Sequence, residues 1–335
     1  MSSSEFINSI ASLNPVYSSD GAVESFGDHA SELLAATERC SITPLSKLSR
    51  IVVTGNDRRR FLHNFCTNNI NDLATGQVCE AFFVDVKARV IAHGYVAAAD
   101  EHLEIWMLPG DESALLQHLD RYIVTDDVAL DSQTEQYAAF AIVGPDAKAV
   151  LENAGWPIGE ADIDQFSSTD DGCVIQTVWN GTPLFFVSTA HAVKVWNNAL
   201  AAGAIPAGSI VFDHIRILER FPIVGVDVSG DNIAPEADRI KKAISYTKGC
   251  YLGQEPIARI DALGHVNRKL FGCTLTPSSS EESAADLPLI TSRSRHGGSN
   301  CPALIQLSVK MAGETPEIIA KDGDGSVFCV TLTSW

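Results

Sequence analysis

The order of apolar and polar positions predicts short strands mixed with amphipathic helices. Apolar or alternating runs predict strands at Arg50–Val53, Val78–Val84, Val90–Ala98, His102–Leu108, Val128–Asp131, Ala138–Val143, Cys173–Trp179 and Pro183–Ser188. Apolar residues at helical spacing predict helices at Ala30–Glu38, Asn56–Phe65, Asp111–Tyr122, Asp146–Ala154, His191–Ala201 and Ser209–Arg220. Because these elements do not alternate regularly as strand, helix and strand, the predicted fold class is α+β.

The pattern changes at both ends of the chain. Residues 1–30 show neither periodicity and are expected to form an irregular lead-in. From Leu270 onward the chain carries short β-rich runs around a polar loop at Pro277–Asp286, which predicts a small β-barrel module. Those runs are Leu270–Leu275, Ala303–Met311, Glu317–Lys321 and Ser326–Thr333.

Composition narrows the class of protein. The chain has 335 residues, 45% of them hydrophobic, which fits a globular protein of two or three domains. No apolar run is long enough to span a bilayer, and Met1-Ser-Ser-Ser-Glu-Phe does not resemble a secretory signal. We therefore expect a cytoplasmic protein without a membrane partner. The net charge of −18 argues against general nucleic-acid binding.

Cysteine and motif usage excludes several kinds of site. The eight cysteines are scattered along a long chain, which favours reduced thiols over a disulfide framework. No Cys-x-x-Cys or His-Glu-x-x-His pattern occurs, so no metal site is predicted. The chain also lacks a Gly-rich phosphate loop and a Gly-x-Ser-x-Gly nucleophile elbow.

One segment departs from the acidic average. Residues Arg239 to Lys269 contain seven basic and two acidic side chains, a local charge of +5. This segment could be a solvated face or a site for an anionic ligand. It contains Lys248-Gly-Cys-Tyr-Leu-Gly-Gln-Glu255, whose two glycines suggest a sharp turn or a close approach. A thiol beside cations ionises more readily, but a lone cysteine is equally often a small core residue.

This eight-residue stretch resembles the signature of the YgfZ family of folate-binding proteins. These proteins are relatives of the glycine-cleavage T protein, and their mitochondrial members serve iron–sulfur protein maturation. Arg216-Ile-Leu-Glu-Arg-Phe-Pro222 looks like the family's Arg-x-x-x-Gly-x-Pro segment, with Arg220 in place of glycine. Asp85-Val-Lys-Ala-Arg89 looks like the family hairpin Asp/Asn-x-x-Gly-Arg/Lys, with Ala88 in place of glycine.

One departure separates the two branches of this superfamily. T proteins carry an Asp-Asp pair shortly after the hairpin turn, and one carboxylate assists aminomethyl transfer to tetrahydrofolate. Ala92 and His93 stand at those positions here. T proteins also carry an acidic or aromatic residue where this chain has Cys250. The resemblance therefore implies a folate-binding fold that has lost aminomethyltransferase chemistry.

The resemblance implies a T-protein fold of two α+β lobes around a central folate pocket, closed by a C-terminal β-barrel. The expected domains are 1–155, 156–268 carrying the signature, and 269–335. The expected ligand is tetrahydrofolate or a related reduced folate. The implied function is an accessory role in the maturation or repair of iron–sulfur enzymes, including tRNA-modifying ones. Its partners would be those enzymes or their assembly proteins.

Residue roles follow from the same resemblance. Cys250 is predicted to be the functional thiol, and Lys248 and Arg259 to tune its charge state or hold an anion. The residues predicted to bind folate are Asn68, Asp85, Lys87 and Arg216. The signature positions without a derived role are Gly249, Tyr251, Gly253, Gln254 and Glu255. Two alternatives stay open: a folate-dependent aminomethyl- or methyltransferase, and an interaction module in which Cys250 is simply buried.

Overall fold

The computed structural model describes residues 6, 8–46, 48–108, 112–156, 158, 164–170, 172–278, 287–295, 300–314 and 318–333. Its strands are β1 (Val16–Tyr17), β2 (Val23–Ser25), β3 (Ser41–Leu45), β4 (Ser49–Thr54), β5 (Val78–Val84), β6 (Val90–Ala98), β7 (Leu103–Met107), β8 (Ala129–Ser132), β9 (Ala138–Val143), β10 (Gln165–Thr169), β11 (Gly172–Trp179), β12 (Thr182–Thr189), β13 (Ile205–Pro206), β14 (Arg268–Pro277), β15 (Ile290–Arg293), β16 (Cys301–Ser308), β17 (Ile318–Lys321) and β18 (Val327–Leu332). Its α-helices are α1 (His29–Glu38), α2 (Arg58–Phe65), α3 (Glu112–Asp120), α4 (Ala147–Asn153), α5 (Ala192–Ala201), α6 (Ser209–Glu219), α7 (Ile240–Ala243), α8 (Gln254–Leu263) and α9 (Val309–Glu314).

The first sheet is antiparallel, with strand order β5-β6-β7-β4-β8. Its two longest strands are those predicted from apolar runs at Val78–Val84 and Val90–Ala98, and they form a hairpin. Helix α2 packs on one face of this sheet, where Phe61 and Leu62 meet Phe83 in a buried cluster. The amphipathic spacing of α2 thus follows from its position against the sheet.

The second sheet combines distant parts of the chain, in the order β10-β11-β12-β9-β3-β13. All its pairs are antiparallel except β3 with β13. Strands β3 and β9 precede residue 155, whereas the other four strands follow it. The division into domains 1–155, 156–268 and 269–335 stays a prediction, and this sheet takes strands from both sides of its first boundary.

The two sheets share one core. Tyr95 and Trp106 from the first sheet lie in the same buried cluster as Trp179 and Phe186 from the second. Trp179 Nε1 donates a hydrogen bond to the Tyr95 hydroxyl at 2.9 Å, so the polar atoms of both rings are satisfied inside this core. Mixed helices and sheets around a common core confirm the predicted α+β class.

The C-terminal sheet has the order β15-β16-β14-β18-β17 and is antiparallel throughout. The sheet curls, and among the described residues one bridge, between Leu289 and Lys321, joins its two edges. The structure therefore has a half-barrel where the sequence predicted a β-barrel. Its interior is filled by inward-facing residues of neighbouring strands, such as Leu275, Ile305 and Val330.

Three sequence predictions differ from the structure. Residues 1–30 are not wholly irregular, because Phe6 and Ile10 are buried and β1 pairs with β2. The strand predicted at Ala303–Met311 ends at Ser308, and the chain continues as α9. Helix α8 was not predicted, because only Ile257 on it is fully buried and no apolar stripe marks it. Asp111, Glu317 and most of the predicted loop Pro277–Asp286 lie outside the described residues.

Candidate functional site

The signature stretch rests on the β5–β6 hairpin. Gly253 has a φ of +79°, and a Cβ atom there would lie 2.5 Å from the carbonyl oxygen of Asp85. The Asp85 carboxylate accepts the backbone N–H groups of Lys87 and Arg89 at 2.8 and 2.9 Å, which closes the hairpin turn. Two segments that the sequence separates widely are therefore in contact, and glycine at 253 makes that contact possible.

Ala88 occupies the hairpin position where the resembling family has glycine. Its φ is +62°, and it is fully buried. The turn therefore keeps the left-handed backbone that a glycine would adopt freely, and the alanine adopts it under strain.

Lys248 connects the signature stretch to the end of α2 through hydrogen bonds to backbone carbonyls. Its buried ammonium donates to the carbonyl oxygens of His63, Cys66 and Asn68, the last two at 2.8 and 2.7 Å, and lies 4.7 Å from the centroid of the Tyr251 ring. Burial lowers the pKa of Lys248 below its ordinary value. All three ammonium protons are donated to carbonyl oxygens, so the structure shows Lys248 bound to backbone rather than to the Cys250 thiol.

Cys250 is exposed, and its thiol makes no hydrogen bond to any residue that the structure describes. The alternative in which this cysteine is simply buried in the core is therefore wrong. Arg259 is exposed on α8, six positions into a helix that begins at Gln254. Glu255 is exposed on the same helix, and Gly249 is exposed beside the thiol.

A cavity of about 600 Å³ lies between the two large sheets. Residues from β5, β6 and β11 form its walls, and the end of α6 and helix α7 form its polar side. The lining residues are Val78, Cys79, Glu80, Tyr95, Asp164, Thr177, Val178, Asn180, Gly181, Glu219, Lys241 and Lys242. Thr177 donates to the Asp164 carboxylate at 3.0 Å, and burial raises the pKa of that carboxyl. The cavity thus offers an apolar wall with a few polar groups.

A buried ion network forms the floor of this cavity. The Arg239 guanidinium donates two hydrogen bonds to Glu80, at 2.7 and 2.6 Å, and a third to the Glu219 carboxylate at 3.0 Å. Lys242 pairs with the same Glu219 carboxylate. Burial alone would raise the pKa of Glu80, but Arg239 and then His93 outweigh it and hold that pKa below its ordinary value.

The positions of the missing Asp pair lie beside this network. Ala92 is buried, and the His93 ring stacks between Phe82 and Phe221 at centroid distances of 4.4 and 4.5 Å. His93 Nε2 lies 2.7 Å from a Glu80 carboxylate oxygen. At the two positions where the resemblance predicts the Asp pair of a T protein, the structure therefore has a buried methyl group and an imidazole that contacts a paired glutamate.

The locally basic segment is largely neutralised. Its ion-paired members face acidic partners from other elements: Arg239 with Glu80 and Glu219, Lys242 with Glu219, Arg268 with Glu236, and Lys269 with Asp238. Lys241 is exposed at the cavity, and no ion pair links it to any described residue. Among the cations that line the cavity, Lys241 is therefore the one without an acidic partner in the described part of the chain, and Lys242 shares its charge with Glu219.

The structure places the four residues predicted to bind folate at three different locations. Asn68 lies at the edge of the cavity, where its side-chain amide donates to the carbonyl oxygens of Glu80 and Lys242 at 2.8 and 3.0 Å. Asp85 closes the hairpin turn, and Lys87 is exposed on that turn. Arg216 is buried and pairs with Asp227 at 2.9 Å, away from the cavity lining. Their role in binding folate stays a prediction.

Sequence reasoning missed the residues that line the cavity. Glu80 and Tyr95 are cross-strand neighbours on β5 and β6, and both strands were predicted correctly. Because successive side chains of a strand point to opposite faces of the sheet, pairing these two strands in the sequence could have placed Glu80 and Tyr95 on the same face. Asp164 could not have been found in this way, because it precedes β10 at a positive φ of 56° and no periodicity marks it.

Comparison with known proteins agrees with this architecture. Residues 9–171 match the model of the GCVT N-terminal domain. The crystal structure of the glycine cleavage system aminomethyltransferase T from Bartonella henselae superposes with a TM-score of 0.83, covering 98% of this chain and 95% of that one, at 16% identity. These matches show a GCVT N-terminal domain within the chain and a T-protein-like fold. The T-protein-like fold predicted from the sequence is thereby confirmed.

The proteins that this chain is similar to differ in their named roles. A chloroplastic protein of Arabidopsis thaliana, named as a transferase, is 32% identical over 82% of this chain. The tRNA-modifying protein YgfZ of Colwellia psychrerythraea is 24% identical over 71% of the chain and 72% of its own length. An aminomethyltransferase of Exiguobacterium sibiricum is 25% identical over 75% of the chain and 71% of its own length. The YgfZ homologue agrees with the predicted branch.

The matched region covers 65% of the length of the chloroplastic relative, slightly less than two thirds. Within the part of the chain that the structure describes, no helix is long and apolar enough to cross a membrane. Among the same residues, no three His, Cys, Asp or Glu side chains are grouped in a way that could hold a metal ion.

Proposed function

We propose that the cavity between the two sheets binds a reduced folate, and that the chain acts as a YgfZ-type accessory protein. In this proposal it supports the maturation or repair of iron–sulfur enzymes, including tRNA-modifying ones. Cys250 is its working residue. The GCVT N-terminal domain match and the YgfZ homologue support folate as the ligand class. The cavity itself is the observation that carries the proposal.

The cavity fits the parts of a folate. A pterin ring is flat and needs apolar walls with a few convergent polar groups, which Val78, Tyr95 and Asp164 supply. The glutamate tail is anionic, and Lys241 and Lys242 stand on the polar side of the same cavity. A volume of about 600 Å³ lies within the usual range for small-molecule sites.

Titration with tetrahydrofolate tests the cavity. Trp179 hydrogen-bonds Tyr95, which lines the cavity, so binding should change Trp179 fluorescence, and Trp179→Phe should remove that change. Affinity measured by calorimetry should fall about tenfold or more in Lys241→Glu, because the charge facing the tail is reversed. Lys87→Glu is the matched control, since Lys87 is exposed but does not line the cavity. If only Lys87→Glu weakened binding, the result would indicate that folate binds at the hairpin and not in the cavity.

A complementation assay tests the thiol. In cells that lack their own YgfZ-type protein, Cys250→Ala should abolish the support of iron–sulfur enzyme activity and leave folate affinity largely intact. Cys329→Ala in the half-barrel is the control, because that cysteine is half-buried and far from the signature in sequence. Full complementation by Cys250→Ala would refute the assigned role.

A folate-dependent aminomethyltransferase is the second candidate, since relatives of similar identity carry that name. In that reaction a bound tetrahydrofolate supplies the accepting amine. The Ala92 and His93 positions argue against it, and Glu80 is held by Arg239. Turnover of an aminomethyl donor with added tetrahydrofolate would favour this candidate over the first.

A further inference from the structure

The environment of Cys250 differs from the one that the sequence suggested. Lys248 uses its three ammonium protons on backbone carbonyls. Arg259 is exposed on α8 and makes no hydrogen bond to the thiol. Neither charged neighbour in sequence is a polar partner of the thiol, and no other described residue forms a hydrogen bond with it.

His63 is a third residue that lies close to the signature stretch. His63 lies on α2, is more than nine-tenths buried, and its Nε2 atom is 3.8 Å from the position that a Cβ of Gly249 would take. Nε2 has no hydrogen-bond partner among the residues that the structure describes. Because residue 249 is glycine, no side chain covers this edge of the ring next to Cys250.

The protonation of the His63 ring follows from its other nitrogen. Nδ1 accepts the backbone N–H of Asn71 at 3.3 Å, which places the ring proton on Nε2. Burial and then the Lys248 ammonium lower the pKa of His63, and Asp72 acts in the opposite direction. The ring is therefore neutral at pH 7, with its N–H group close to Gly249 of the signature.

We propose that His63 is a positioning residue whose Nε2–H donates a hydrogen bond to the Cys250 thiolate. The thiol loses its proton to water, and the imidazole N–H stabilises the sulfur anion in its reactive conformer. This inference rests on the proposed role of Cys250 and names the group that sustains it. The Asn71 hydrogen bond argues against His63 as a metal ligand, because a ligating Nε2 would need its proton moved to Nδ1.

Site-resolved alkylation tests the proposal without folate or a client enzyme. The rate of Cys250 modification by iodoacetamide is followed by mass spectrometry in the full chain from pH 5.5 to 9.5. His63→Leu removes the donor, and we expect a five- to tenfold slower reaction at pH 7, with the pH midpoint moved upward. His63→Gln keeps an N–H donor at nearly the same place and should retain most of the rate. His265→Leu, on an exposed histidine beyond α8, is the control.

Equal rates in the wild type, the Leu variant and the Gln variant would overturn the proposal. So would a loss of rate that is the same in the Leu and Gln variants, since that points to a structural effect alone. If the Leu variant does not fold, nitrogen-15 NMR of the unmodified ring decides the question. A ring protonated on Nδ1 at pH 7, or stoichiometric Zn²⁺ binding that requires both His63 and Cys250, would also contradict it. These outcomes are independent of complementation, so the proposed function is tested separately.

Discussion

At the scale of single residues, two positions where the resembling family commonly has glycine hold other side chains here. Both keep the left-handed backbone, with φ of +62° at Ala88 and +58° at Arg220. Arg220 ends α6, and its guanidinium reaches Thr333 of the half-barrel and Asp238. The strained backbone at Arg220 thus occurs where the end of α6 contacts the C-terminal sheet.

The strain at Ala88 leads to a stability prediction. Ala88→Gly relieves about 1–2 kcal/mol of left-handed strain, but loses about 1 kcal/mol of methyl burial and adds freedom to the unfolded chain. The free energy of unfolding should therefore change by less than about 1 kcal/mol. Ala88→Val should lower it by more than about 2 kcal/mol, because a branched side chain is worse at this φ and the site is full. Urea unfolding measures both, and similar losses in the two variants would contradict the strain argument.

The two signature glycines give a matched pair. Gly253→Ala should lower the free energy of unfolding by more than about 2 kcal/mol, because it combines a left-handed φ with contacts to Asp85 and Val84 below 3 Å. Gly249→Ala should change it by less than about 0.5 kcal/mol, since the new methyl meets only His63 at 3.8 Å. Thermal and urea unfolding of both variants test this contrast. Equal effects would mean that the hairpin contact is not the reason for glycine at 253.

At the scale of elements, Arg239 ties α7 to β5 and to the end of α6. Arg239→Leu removes the buried cation that pairs with Glu80 and Glu219, and leaves the Glu80 carboxylate with only the His93 ring as a side-chain partner among the described residues. It should lower the free energy of unfolding by about 3–5 kcal/mol. Lys242→Leu is the control, because that half-exposed lysine pairs with the same Glu219 and should contribute less than about 1 kcal/mol. Urea unfolding at pH 7 compares them, and the reverse order would refute the assignment of the network to Arg239.

The sequence predicted elements best where one face is continuously buried. The ends of β5, β6 and β9 agree with the apolar runs to the residue. Strand β3 was missed because Pro44 and Thr43 interrupt its apolar pattern. The strand is nevertheless largely buried, and it lies between β9 and β13 in the second sheet. Helix α8 was missed because it lies on the surface.

The site was predictable only in part. The exposure of Cys250 agrees with a working thiol, and the docking of Gly253 on the hairpin explains why two resembling motifs belong together. The partners of Lys248 could not be foreseen, because its neighbours in space come from α2 and the loop after it. Sequence proximity placed this cation beside the thiol, whereas the fold turned it toward backbone carbonyls.

At the scale of the whole molecule, buried carboxylates predict a dependence of stability on pH. Burial raises the pKa of Glu104, but hydrogen bonds from His102, Arg50 and Trp106 bring it down to about 2. Glu80 is shifted in the same direction. A carboxyl whose folded pKa lies below its unfolded value stabilises the protein above the unfolded pKa and loses that contribution as pH falls.

The stabilisation by these carboxylates should therefore be complete above about pH 4.5, the ordinary pKa of glutamate, and should decrease steadily as the pH falls toward 2. Glu104 alone contributes on the order of 3 kcal/mol over this window. Glu104→Gln should give a shallower dependence of the melting temperature on pH, while exposed Glu255→Gln should leave it unchanged. A melting temperature that is constant between pH 5 and pH 2.5 would contradict the prediction.

The mixed origin of the second sheet has a consequence for biosynthesis. Strand β3 needs β13, which ends at Pro206, and β9 needs β12, so the sheet's early strands wait for partners made much later. While residues 41–143 leave the ribosome, β3 and β9 can pair only with each other, and their outer edges stay open. A ribosome stalled after β9 has emerged but before β12 has emerged would therefore hold a nascent chain with unpaired strand edges, on which a holding chaperone would act.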